Sequence, residues 1–119
     1  MPLIRIENYP QTTPGYCNVR DLAKALQSAC ITTEVPGINS AGQVTVVAGG
    51  SQLLEDDRTL VVIVEGLFDR PDRTKVIRDR LANRLAKHAK INLPPDWKVE
   101  ILVKRFNPEK DSYVEIGAT

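Results

Sequence analysis

Pro2 follows the initiator methionine and runs directly into the alternating segment "LIRIE". If Met1 is trimmed, Pro2 carries a free secondary amine, which can act as a base. If Met1 stays, the same nitrogen is an amide whose lone pair is delocalised. A structural account competes with the chemical one, because the first residue of a strand is one of the few sheet positions that tolerate proline. Few other residues offer reactive chemistry. His88 is the single histidine, and no second His or Cys stands at a ligand spacing, so no metal site is expected. Cys17 and Cys30 form neither a C-x-x-C pair nor a disulfide framework. Cys30 closes an apolar helical stripe and reads as a small buried hydrophobe rather than a nucleophile.

The length of 119 residues fits one domain spanning 1–119. A net charge of +1 provides no global field toward nucleic acid or an anionic membrane, and neither partner is expected. The halves differ: residues 1–59 hold four Lys/Arg against six Asp/Glu, and residues 60–119 hold twelve against nine. Much of that basic excess lies between Arg70 and Lys90, where a solvated helix face accounts for it. No signal-peptide layout and no apolar run long enough to span a bilayer is visible. A cytoplasmic, reduced protein is expected.

The elements that must position Pro2 follow from hydrophobic periodicity. "LIRIE" places Ile4 and Ile6 on one face and Arg5 and Glu7 on the other, a half-buried strand. After the turn-rich "YPQTTPGYC", Asn18 can cap a helix over 18–30 in which Val19, Leu22, Leu26 and Ala29 recur at helical spacing. "TTEVPGINSAG" reads as a loop and "QVTVVAGG" as a strand. "LVVIVEGL" is the strongest strand signal, with Leu60, Val62 and Val64 on one face and Val61 and Ile63 on the other. Both faces of that strand seek burial, and two helices can cover only one of them, so partner subunits are expected on the other. A second helix over 70–90 is predicted, with Asp69 as N-cap, Pro71 in its first turn, and Ile77, Leu81, Leu85 and Ala89 as its buried stripe. "NLPPDW" breaks it, "KVEILVKRF" forms a final strand, and "YVEI" offers a short terminal one. The order is β-α-β-β-α-β, an α+β sandwich with two helices on one face of a mixed sheet.

Two architectures share this order: the ferredoxin-like split βαβ sandwich and the tautomerase fold. An RNA-recognition version of the first would need aromatic residues on its central strands for base stacking, and "LIRIE" and "LVVIVEG" have none. "MPLIRIENY" resembles the amino-terminal strand of tautomerase-superfamily proteins, in which the proline behind the methionine is the general base. "VEGLFDRPDRTKVIRDRLANRLAKHAKINLPPDWKVEILVKRF" is similar to the β-α-β unit of 4-oxalocrotonate tautomerase, whose strand also ends in Glu-Gly, here Glu65-Gly66. The "FDR" of Phe68 to Arg70, with a Tyr-containing tail beyond, resembles tautomerase-like domains of unassigned activity.

The resemblance implies a cofactor-free tautomerase or isomerase acting on a small carboxylated keto/enol compound within a homotrimer. Pro2 is the implied base. An arginine must also hold a carboxylate or stabilise the developing enolate oxygen. In 4-oxalocrotonate tautomerase an arginine directly follows Glu-Gly, whereas Leu67 stands there in this chain. Arg70, which matches the "FDR" of the similar domains, is the candidate for the catalytic role instead, with Arg73 as its backup and a substrate-binding candidate; surface charge at a helix start is the alternative account of both. Lys98 occupies the position of the family's second substrate-binding arginine but lacks its planar two-bond fork. Tyr113 could close the site, donate to an oxyanion or serve as an interface aromatic. Arg5 points outward, to solvent or a subunit contact. The competing hypothesis is a non-catalytic oligomer on a tautomerase-like or ferredoxin-like scaffold. It predicts no pocket joining Pro2 to an arginine.

Overall fold

The computed structural model describes residues 2–9, 19–49, 58–114 and 116–117. The proposed Asn18 cap, Cys17 and the turn over 51–57 lie outside the described residues. Four strands, β1 (Leu3–Glu7), β2 (Thr45–Gly49), β3 (Thr59–Phe68) and β4 (Lys98–Phe106), form one sheet in the order β2-β1-β3-β4. β1 pairs parallel with β2 and antiparallel with β3, and β3 pairs parallel with β4. Helices α1 (Val19–Thr32) and α2 (Lys75–Ile91) connect the two parallel pairs. Each β-α-β unit therefore keeps its two strands adjacent. That arrangement separates the fold from the ferredoxin-like alternative, whose units are split by an intervening strand.

The alternation read from the sequence decides which face the helices cover. Ile4, Ile6, Leu60, Val62 and Val64 are fully buried on one side of the sheet, and Leu22, Leu26, Ala29, Leu81, Leu85 and Ala89 meet them from the helices in one core. Val99, Ile101 and Val103 of β4 pack against that core while partly buried. Cys30 is buried within it, and burial pushes its thiol up to about 12, so it is a neutral packing group at physiological pH. Across the opposite face runs a row of paired residues, Val47, Arg5, Ile63 and Leu102, one from each strand. No helix of the described chain covers them, and Val47 and Leu102 remain 42% and 49% exposed.

Beyond one or two residues at the ends of α1 and β3, three features depart from expectation. β2 begins at Thr45 because residues 41–43 form a 3₁₀ turn rather than extended chain. The described residues of "YVEI", at 113, 114 and 116, form no strand. Helix α2 begins at Lys75, not at 70, and its N-cap is Thr74, whose hydroxyl accepts a bond from the Ile77 backbone N–H at 3.3 Å. Residues 70–73 instead form a turn closed by the Arg73 N–H on the Arg70 carbonyl at 3.0 Å. Asp69 donates its own N–H to the Phe106 carbonyl at 2.8 Å, which extends the sheet one residue beyond β3 and leaves it no capping role. Loss of the cap in Thr74→Ala is expected to cost about 1 kcal/mol, read as a lower urea midpoint at fixed protein concentration.

Candidate active site

The chain ends of β1 and β3 fix where Pro2 lies. Leu3 pairs with Glu65 in antiparallel register, so Pro2 falls beside Gly66 at the far end of β3. There the β3–β4 register slips between Val64 and Leu67, and Gly66 adopts φ 69°, a left-handed conformation that suits glycine. The Glu65-Gly66 pair noted in the sequence is thus a β-bulge. Pro2 is buried, and its carbonyl accepts a bond from the Thr45 N–H at 3.2 Å, which ties the first residue to β2 as well.

A pocket of about 240 Å³ opens at this end of the sheet. Pro2 and Gly66 form one wall, Ile38 and Phe68 supply apolar surface, and Arg70 and Arg73 bring two guanidinium groups. Gly37 and Gln43 complete the lining from the loop between α1 and β2. Of the residues proposed from sequence, Pro2, Arg70 and Arg73 are brought together here. Lys98 is not: it pairs with Thr59 toward the opposite end of β3, seven residues from Gly66 and roughly 23 Å away at about 3.3 Å per strand residue. Parallel pairing of β4 with β3 puts the start of both strands at the edge remote from Pro2. Tyr113 stands behind the pocket rather than in it. Its half-exposed ring meets Phe68 edge-on at 5.2 Å, and Phe68 stacks on Phe106 at 4.6 Å.

Both arginines are held by specific partners. Arg73 donates from Nε to the Pro36 carbonyl at 2.9 Å and from Nη1 to the Phe68 carbonyl at 3.0 Å, bridging the 33–44 loop and the end of β3. Its guanidinium pKa is lowered, first by burial and then by the neighbouring Arg70, with Asp72 acting in the opposite sense. Arg70 makes a two-bond fork with Asp72, Nε to Oδ1 at 3.0 Å and Nη2 to Oδ2 at 2.7 Å. The remaining amino groups, Arg70 Nη1 and Arg73 Nη2, converge over Gly37, which has φ 86°. A Cβ on that residue would lie 2.9 Å from Arg73 Nη2 and nearer still to Arg70 Nη1.

Gly37 and Gln43 were not singled out from the sequence. The Gln43 Oε1 accepts from the N–H groups of Asn39 and Ser40, at 2.6 and 3.0 Å, and its Nε2 donates to the Gly37 carbonyl at 3.0 Å. One side chain therefore closes the loop on itself. Gln27 of α1 adds a bond to the Val44 carbonyl at 3.0 Å, anchoring the loop to the helix. Two signals were available in the sequence: the Pro36-Gly37 dipeptide, which marks a turn, and Ser40-x-x-Gln43, which has capping-box spacing. Neither says which end of the sheet the loop reaches.

Among the described residues, no group of three His, Cys, Asp or Glu side chains could hold a metal ion, and no helix is long and apolar enough to cross a membrane. No known family profile and no curated protein matches the sequence. Solved structures do match in shape. A 5-carboxymethyl-2-hydroxymuconate delta-isomerase aligns with TM-score 0.67 and 14% identity over 98% of this chain and 89% of its own. A fused 4-OT wild-type symmetric trimer gives 0.67 and 15% over 98% and 94%. A malonate semialdehyde decarboxylase inhibited by 3-bromopropiolate gives 0.63 and 15% over 98% and 91%. At such identities the likeness is one of fold: this chain has the α+β fold that these isomerase, 4-OT and decarboxylase structures share.

Proposed function

We propose that the chain is a cofactor-free tautomerase or isomerase of a small carboxylated keto/enol compound, with Pro2 as base and Arg70 and Arg73 as the groups that receive the substrate's anionic oxygens. The observation that carries this reading is the meeting of Pro2 and both arginines in one small pocket. A proline amine in water is mostly protonated at neutral pH. The apolar wall of Ile38 and Phe68 and the two nearby cations both disfavour the ammonium form, which lowers the pKa and frees the lone pair. The amine then takes a proton from carbon next to a carbonyl, the arginines stabilise the developing enolate, and the same amine returns the proton at another atom. Such a shift is redox-neutral and uses only the terminal amine and the guanidinium groups of the site. The test is ketonisation of phenylenolpyruvate, followed by its ultraviolet absorbance, with Pro2→Ala as the comparison; wild-type rates in that variant would end the proposal.

We further propose a homotrimer. Support comes from the uncovered row Val47, Arg5, Ile63 and Leu102, which presents apolar side chains around one cation, and from neighbours of this fold described as trimers. Light scattering is expected to give three times the chain mass, and Leu102→Asp is expected to shift it toward monomer by placing an unpaired charge in the contact. A monomeric wild-type chain would refute the assembly.

A further inference from the structure

Asp72 lies between the two arginines in sequence and is joined to one of them in space. Its carboxylate occupies the Nε and Nη2 edge of Arg70, and the carbonyls of Pro36 and Phe68 occupy Nε and Nη1 of Arg73. The amino groups nearest Gly37 are Nη1 of Arg70 and Nη2 of Arg73, and neither donates in these bonds. Neither arginine can offer the pocket the Nε-containing edge that grips a carboxylate in a flat two-bond fork. Charge follows the same count. Two cations line the pocket and one anion sits against them, so the lining with its bonded partner carries one positive charge in excess; Arg78, whose Nη1 donates to the Arg73 carbonyl at 2.7 Å, is not among the lining residues. The next acid along the chain, Asp69, has its own cation, Arg105, at 3.8 Å.

We propose that Asp72 is a specificity-determining residue: by cancelling one of the two guanidinium charges, it fits the pocket to a substrate presenting one carboxylate and disfavours a substrate presenting two. This rests on the reading of the pocket as an anion site. Asp72 acts on both arginines, since it also opposes the lowering of the Arg73 pKa caused by Arg70. A second carboxylate on a ligand would meet a fixed negative charge with only one uncompensated cation to answer it.

The experiment measures binding of butyrate and succinate, matched in length but differing by one charge, to the wild-type protein and to Asp72→Asn and Asp72→Glu at low ionic strength. The carboxylate-to-amide change is expected to tighten succinate about three- to eightfold more than butyrate, as one unit charge at roughly 7 Å in a high-dielectric site gives. Asp72→Glu, which restores the charge, is expected to keep the wild-type ratio, and about 0.5 M salt to erase the difference. A common factor for both ligands, in either direction, would overturn the proposal and leave Asp72 as a strut for Arg70. Binding of neither ligand to any of the three proteins would overturn the anion reading itself, and the proposal with it.

Discussion

Gly37→Ala is expected to lower kcat/KM on the order of a hundredfold and to cost about 1–2 kcal/mol of stability. The stability term is backbone strain, because φ at this position is 86° and an L side chain there meets the steric penalty of left-handed geometry. The catalytic term is displacement. The added methyl would lie 2.9 Å from Arg73 Nη2 and closer to Arg70 Nη1, the amino groups left to face an anion. The ends of both side chains must shift, Arg73 against its bonds to the Pro36 and Phe68 carbonyls and Arg70 together with the exposed Asp72 carboxylate. Guanidinium groups so displaced lose contacts to the bound anion, worth about 1.5–3 kcal/mol each, or about one to two powers of ten in rate per lost contact. Gly42→Ala is the control in the same loop. Nothing lies within 4 Å of the Cβ it would carry, and activity and unfolding midpoint are expected to stay at wild type. Equal behaviour of the two variants in the ketonisation assay would separate the arginines from catalysis.

The contrast between these glycines shows what was readable before the fold was known. Strand faces were legible because one side of the sheet is buried: Ile4, Ile6, Leu60, Val62 and Val64 all point to the helices, as their alternation requires. The start of α2 was not. Asp69 and Pro71 satisfy local rules for a helix start, but long-range bonds override them. Asp69 continues the sheet through Phe106, and Arg73 is drawn to the Phe68 carbonyl and the Pro36 carbonyl, 37 positions away in sequence. That same override carries Arg70 and Arg73 out of the helix and into the pocket. The place of Lys98 was not legible for a related reason: resemblance and periodicity give a strand and its face but not its register, and parallel pairing with Thr59 sets Lys98 at the other end of the sheet from Pro2 within one chain. Gly37 contributes by lacking an atom, and only a three-dimensional neighbour can reveal that.

Pro2 is the other position where a small change is expected to have a large effect. Pro2→Ala, or any fraction of protein that keeps Met1, is expected to lose about two to four powers of ten in turnover, the usual contribution of a positioned general base. The two lesions differ in kind. Retained methionine converts the amine to an amide and removes the base altogether, whereas alanine leaves a primary amine without the ring that fills the wall beside Gly66. Intact mass sorts the first case, and activity is expected to scale with the trimmed fraction. A purely structural role for the ring would also depress activity, so the decisive readout is the pH profile. Protonation of the amine silences it, and kcat/KM should therefore fall as pH drops through the amine pKa. On the proposed reading, Arg73 is one of the cations that disfavour the ammonium form, and Arg73→Ala is expected to stabilise that form and to move the acid limb of the profile to higher pH. A ring that only packs has no proton to lose. An acid limb that stays in place in Arg73→Ala would show that the group titrating in the rate is not an amine sharing the pocket with that guanidinium.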